Sequence, residues 1–235
     1  MKSYKNNIEE ILKDLERATG IVFSNPYLLL EALIHPSYYH ENPSIGASNQ
    51  RLEFLGDSVI GLVISEILYK TYKDANEGVL SQIKNYLVKK ETLAEKARKL
   101  GLNKFILLGK GEELQQGRDK DSILADLFEA YIGALFLDKG FEFVREFLTN
   151  IYKEELDKAE YEVDWKTLLR RMLLLIDKKP VYKLVKEEGP QHRKRFFVEL
   201  WIDNEKISEG EGTSKKQAEM QAAQKAFKKL KENVS

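Results

Sequence analysis

The chain has 235 residues, 32% of them charged, with 38 Lys and Arg against 38 Asp and Glu, a length that holds one large domain or two small ones with ample core. The absence of cysteine excludes disulfides, and with only three histidines, His35, His40 and His192, the composition argues against zinc. No uncharged apolar run reaches membrane-spanning length, and the opening M-K-S-Y-K-N-N-I-E-E-I reads as an amphipathic helix and not as a secretory signal, so a soluble, cytoplasmic protein is expected.

In chain order, the first 160 residues read as helix nearly throughout. Ile8, Ile11, Leu12 and Leu15 recur at helical spacing, and Leu28, Leu29, Ala32 and Leu33 form a second stripe. Asn25-Pro26 supplies an N-cap and first-turn proline for that second helix, and His35-Pro36 stops it. Residues 42–49, with Pro43 and Gly46, read as a loop. A long helix covers 51–70. Gly78 precedes a helix over 80–90, and Thr92 opens another through Leu100 with Gly101 as its C-cap. Residues 107–118 carry three glycines and read as loop. A helix over 121–138 ends at Gly140, and 141–155 makes one more amphipathic helix. No segment alternates as a strand does, so an all-α domain spans 1–156.

The charged stretch 157–163 reads as a linker, and beyond it the period changes. Residues 164–175 are helical. Residues 181–186, 196–202 and 206–211 look like three strands, the last two joined at Asp203-Asn204. Ser214 with Gln217 three later is a capping-box pattern. Ala218, Ala222, Ala223, Ala226, Phe227 and Leu230 give the last helix an apolar face small enough to pack close on a sheet. The expected second domain, 164–235, is therefore a small α+β unit in the order α-β-β-β-α.

Chemistry concentrates in the two most apolar helices. In the stretch N-Q-R-L-E-F-L-G-D-S-V at 49–59, Glu53 and Asp57 lie four apart and share a helix face. Asp126 and Glu129, three apart, are the only charged residues in 123–137. A helix apolar on most sides is a buried one, and acids within it need an explanation. A salt bridge or a helix-end cap is the bland one. Four acids with no obvious local cation instead look like two halves of a divalent-metal site. Two carboxylates about 5 Å apart repel by roughly 3 kcal/mol at an effective dielectric of about 20. Oxygen ligands suit magnesium, with manganese as a substitute, and such ions commonly act on phosphates.

Net neutrality hides an asymmetry. Residues 1–160 carry 21 Lys and Arg against 26 Asp and Glu; residues 161–235 carry 17 against 12. The basic half suits a polyanion. Lys215 and Lys216 stand in the first turn of the last helix, where the dipole disfavours cations and favours phosphate; the competing reading is a solvated charged turn. The basic loop 189–194, G-P-Q-H-R-K, joins two strands. On this topology both sites fit double-stranded RNA, which is read by shape across two minor grooves.

These motifs resemble the bacterial ribonuclease III family over almost the whole chain. The 49–59 stretch is similar to its signature, and A-L-I-H-P-S-Y at 32–38, E-G-V-L-S at 77–81 and D-L-F-E-A at 126–130 match further landmarks in order. Residues 162–231 resemble a double-stranded-RNA-binding domain, with G-P-Q-H at 189–192 and S-K-K-Q-A-E at 214–219. The resemblance implies an endonuclease domain whose Glu53, Asp57, Asp126 and Glu129 hold magnesium, with Asp57 and Glu129 catalytic. Glu77 matches an accessory acid, its alternative being a surface glutamate before a turn. Thr167, Arg170, Pro190, Gln191, His192, Ser214, Lys215 and Lys216 are implied as RNA contacts. Phe54 matches an interface aromatic of a homodimer; by spacing alone it could equally be a core phenylalanine. The implied activity is hydrolysis of both strands of duplex RNA, leaving 5′-phosphate, 3′-hydroxyl and two-nucleotide 3′ overhangs, in processing of ribosomal RNA precursors and messenger transcripts. Membranes and small-molecule cofactors have no part in it. The alternative is a non-catalytic duplex-RNA-binding protein that keeps the fold. Departures from the family pattern are Gln50 in place of a common glutamate, Lys84 in place of arginine, and Arg170, Arg171 and Leu174 where glutamine or glutamate is frequent.

Overall fold

The computed structural model describes residues 2–73, 75–159, 164–190 and 193–232. The chain divides into two compact units, Met1–Tyr161 and Glu162–Ser235.

The first unit is helical, with an isolated bridge pairing Ile34 and Leu107. Its helices are α1 (Lys2–Thr19), α2 (Pro26–Leu33), α3 (Pro36–Glu41), α4 (Gln50–Thr71), α5 (Glu77–Leu87), α6 (Lys90–Lys99), α7 (Lys110–Leu114), α8 (Asp121–Lys139), α9 (Phe141–Ile151) and α10 (Lys153–Ala159). Asn25 caps α2 as expected, its Oδ1 accepting from Tyr27 N at 3.1 Å, with Pro26 in the first turn. Gly101 follows α6 at φ +72°, a conformation glycine adopts without a Cβ penalty.

Several boundaries differ from expectation. Pro36 stops α2 but also begins α3, because His35 caps the new helix. The glycine-rich 107–118 segment contains α7, and 42–49 contains a 3-10 turn, Pro43–Ile45. Helix α5 starts at Glu77, not after Gly78, because Asn76 accepts from Val79 N at 3.0 Å. Thr92 lies inside α6, where its hydroxyl donates to Tyr86 O at 3.0 Å. The helix expected over 141–155 breaks at Tyr152, and α10 carries the chain to Ala159, past the point where a linker was expected. Residues 160–163 of that linker lie outside the described residues.

Helix α8 is the axis of this unit, with Leu124, Leu127, Phe128, Tyr131, Ile132 and Leu135 wholly buried. Helix α4 crosses it on Leu52, Gly56, Val59, Ile60 and Val63. Contrary to expectation, α4 is not buried on all sides: Phe54 is 78% exposed, and Leu62 and Tyr69 are exposed on the far face.

The second unit has α11 (Trp165–Leu174), strands β1 (Val181–Glu188), β2 (Arg195–Ile202) and β3 (Glu205–Gly212), and α12 (Lys215–Glu232). The sheet is antiparallel in the order β1-β2-β3. Asp203 and Asn204 both have positive φ, as a two-residue hairpin with right-handed strand twist requires. Val198, Leu200 and Ile202 of β2 and Ala218, Ala222, Ala223, Ala226 and Phe227 of α12 are buried. The helix sits so close that a Cβ on Gly210 would lie 2.2 Å from Ala218 O.

Candidate metal centre and nucleic-acid interface

The carboxylates meet because two helices touch backbone to backbone. A Cβ on Gly56 would lie 1.8 Å from Glu129 O, and one on Gly133 would lie 2.2 Å from Leu52 O. No L side chain fits at either position, so the crossing is held at closer range than side-chain packing allows. One residue on from Leu52, and at Glu129 itself, the helices present their acids on the same side.

Carboxylate oxygens of Glu53, Asp126 and Glu129 all lie within 4.8 Å of one another, and all three residues are half-buried. Burial raises each carboxyl above its ordinary value. For Glu53 the neighbouring Asp126 charge adds to burial. For Asp126 burial dominates, opposed by Lys90 and His35. Glu129 is pushed up to about 8, first by burial and then by Asp57, Asp126 and Glu53. Such a group favours a proton or a cation in its midst. Three oxygen donors with no nitrogen or sulfur fit a hard divalent ion such as magnesium or manganese.

Asp57 stands outside this close group and is exposed, one turn beyond Glu53, yet its charge is the strongest of those raising Glu129. Glu77 is exposed at the start of α5, where Oε1 accepts from Ser81 Oγ at 2.8 Å, and it does not join the carboxylate group. Phe54 lines a hollow of about 650 Å³ with Leu28, Leu52, Leu55 and Leu137 and with the polar Glu31, Gln50 and Arg51.

Two residues near the carboxylates escaped the sequence reading. Lys90, the first residue of α6, is the cation that opposes the shift of all three carboxyls, so the site does have a local positive charge. It comes from a helix distant in sequence, and no spacing rule could have found it. His35 has Asp126 among its charged neighbours, and burial lowers its pKa. Its histidine-proline pair signals only a helix boundary.

In the second unit, Ser214 Oγ accepts from Gln217 N at 3.2 Å and begins α12. Gln217 reaches back one residue further than a simple capping box: its Oε1 accepts from Thr213 N at 3.0 Å and from the Thr213 hydroxyl at 2.5 Å. Lys215 and Lys216 are exposed in a first turn that has no acid. Gly189 at φ +90° turns the chain tightly, and Arg193 N donates to Pro190 O at 2.8 Å. Gln191 and His192 lie outside the described residues. Thr167 is half-buried, with its hydroxyl donating to Asp164 Oδ2 at 2.7 Å within the cap of α11, and Arg170 is exposed on that helix.

Among the described residues, no helix is long and apolar enough to cross a membrane. Residues 25–156 match the family model described as Ribonuclease-III-like, and 165–230 match that of the double-stranded RNA binding motif. The chain is 43% identical to ribonuclease 3 of Borreliella burgdorferi, over 98% of this chain and 94% of that protein. It is 44% identical to ribonuclease 3 of Caldanaerobacter subterraneus, over 94% and 98% respectively. Among solved structures, the nuclease domain of ribonuclease III from Campylobacter jejuni, described as having a flexible region involved in dimer formation, is 38% identical. It covers 60% of this chain and 95% of its own, with a TM-score of 0.56. A helical unit built around an acidic crossing, a double-stranded RNA binding motif after it and full-length relatives above 40% identity agree: the chain belongs to the ribonuclease III family of endoribonucleases.

Proposed function

We propose that the chain is a divalent-metal-dependent endoribonuclease that hydrolyses both strands of duplex RNA, leaving 5′-phosphate, 3′-hydroxyl and two-nucleotide 3′ overhangs. Its substrates on this reading are ribosomal RNA precursors and other structured transcripts, in the cytoplasm. The observation that carries it is the half-buried group Glu53, Asp126 and Glu129, all oxygen donors, in a chain that also holds a double-stranded RNA binding motif.

Glu53, Asp126 and Glu129 are the residues that hold magnesium, with Asp57 completing the set from its exposed position. When bound, the ion polarises the phosphodiester and makes water a nucleophile at neutral pH. Glu129, ionised, would hold the metal and would serve, with Asp57, as catalytic carboxylate. Glu77, exposed at the start of α5, is the accessory acid. Lys90 lessens the repulsion among the acids. Lys215 and Lys216, the Pro190 turn with Gln191 and His192, and Thr167, Arg170 and Ser214 grip the duplex, chiefly at phosphates.

Two such chains form the active unit. Support comes from Phe54, a large aromatic exposed beside a hollow whose leucines are flanked by Glu31, Gln50 and Arg51. Incubating the protein with an end-labelled RNA duplex, with and without magnesium, and sizing the products tests the proposal. Short duplex fragments with staggered ends are expected only with the metal; a duplex bound but uncut under both conditions would leave a binding protein without chemistry.

A further inference from the structure

The residues that begin α3 and α4 lie next to each other at the edge of the carboxylate group. Asn49 N donates to Ile34 O at 2.8 Å, and the nitrogen of that same peptide, His35 N, donates to Leu107 O at 3.1 Å. Asn49 O then accepts from Glu53 N at 2.8 Å. One run of backbone bonds thus ties His35 and Asn49 to Glu53.

The His35 ring has a defined tautomer. Its Nδ1 accepts from Ser37 N at 3.2 Å and lies 2.8 Å from Ser37 Oγ, which itself accepts from Gly109 N. A ring nitrogen that accepts from a backbone N–H carries no proton, so the neutral imidazole has its proton on Nε2. The charged neighbours of the ring are Glu112, Asp126 and Lys120. Glu112 is already paired with Lys120, whereas Asp126 has no ion pair among the described residues. Nε2–H is left without a protein acceptor among the described residues, and Asp126 is the unpaired acid whose charge the ring feels.

Asn49 is 1% exposed, and neither Oδ1 nor Nδ2 has a hydrogen-bond partner. It sits at the cap position of α4 without capping it. A wholly buried amide with both ends unpaired destabilises the fold unless a water or another group pairs with it. One turn of helix separates it from Glu53, on the same face.

We propose that His35 and Asn49 are positioning residues of the metal centre: the Asn49 amide, which has no protein partner, and His35 Nε2 would each hold a buried water that bonds the Glu53 and Asp126 carboxylates. Donors of this kind fix the orientation of ligating carboxylates and raise metal affinity. The inference rests on the reading of Glu53, Asp126 and Glu129 as a metal centre.

The test is calcium titration by calorimetry on the full chain, with thermal unfolding in EDTA alongside. His35→Asn keeps an acceptor near the Nδ1 position, so α3 stays capped, but deletes Nε2. His35→Gln places an amide near Nε2 but loses the cap. Asn49→Leu keeps the volume and removes the amide. Calcium affinity should fall about ten-fold or more in His35→Asn and Asn49→Leu, with no lower unfolding midpoint in Asn49→Leu. His35→Gln should keep most of the affinity and lose stability. If His35→Asn and Asn49→Leu bind calcium as the unmodified protein does while Glu129→Gln does not, the positioning role is wrong and the metal centre stands. If Glu129→Gln and the unmodified protein bind alike, or neither binds, the metal centre fails and takes this inference with it.

Discussion

Gly56 and Gly133 face each other where α4 crosses α8: a Cβ on Gly56 would come within 3.0 Å of Gly133 N, and one on Gly133 within 3.2 Å of Gly56 N. This close approach brings Glu53 of one helix to Asp126 and Glu129 of the other. Gly56→Ala would force backbone apart, since the nearest atom is the Glu129 carbonyl oxygen and not a movable side chain. The expected loss is about 3 kcal/mol or more, at the upper end of overpacking costs, read from urea unfolding, together with loss of calcium binding. Retention of both would mean that the helices need no such close approach.

The raised carboxyls set the direction of the pH dependence. Burial, with the charges of Asp57, Asp126 and Glu53, pushes Glu129 up to about 8 in the folded chain, against an ordinary 4.5. Between those values the folded protein holds a proton that the unfolded chain has released. Metal-free stability should therefore decline as pH rises from 4.5 through about 8, with Glu53 and Asp126 acting in the same sense. A bound cation needs the carboxylates ionised, so metal affinity should rise over the same window with release of protons. Urea midpoints in EDTA and in calcium, at about pH 5 and about pH 8.5, should diverge as pH rises; parallel curves would contradict this.

Lys215 and Lys216 are exposed in a first turn without an acid, so their role should be read in salt. Replacing both with alanine should weaken duplex binding and reduce the slope of log affinity against log salt by about one for each phosphate no longer neutralised. An unchanged slope would remove these lysines from the interface.

Phe54 should hold the two subunits together. Phe54→Asp replaces an exposed apolar ring by a charge beside the leucines of the hollow, and sedimentation at micromolar concentration should then show monomers where the unmodified chain shows dimers. Dimers in both would send the interface elsewhere on the molecule.

The two acidic helices were legible because charge in an otherwise apolar run stands out in one dimension. The α-β-β-β-α order of the second unit was legible too, since Val198, Leu200 and Ile202 alternate and Asp203-Asn204 is a turn pair. Helices α3 and α7 were missed because Pro36 and the glycines around 109–117 read as breakers, while the groups that start them, the His35 ring accepting from Ser37 N and Glu41 Oε1 accepting from Lys110 N, act through geometry. Nor did any local pattern mark Gly56 and Gly133: each is glycine because of the backbone across from it. Lys90 lends its positive charge to the acids from a separate helix, which only the folded chain reveals. Spacing alone left Phe54 open between interface and core; it faces outward, as do Leu62 and Tyr69 of the same apolar run, because hydrophobicity alone does not say which partner covers a surface.

The most direct measurement is single-turnover cleavage of a labelled RNA duplex by Glu129→Gln, beside a gel-shift titration of the same protein in calcium. Glutamine keeps the shape and one carbonyl oxygen but removes the charge that helps hold the ion. Duplex affinity should stay near that of the unmodified protein, because the contacts assigned to the second unit are untouched. The cleavage rate should fall by orders of magnitude, with partial recovery at high manganese. Cleavage at the unmodified rate in ordinary magnesium would mean that the carboxylates at the α4–α8 crossing are structural and that the chemistry lies elsewhere.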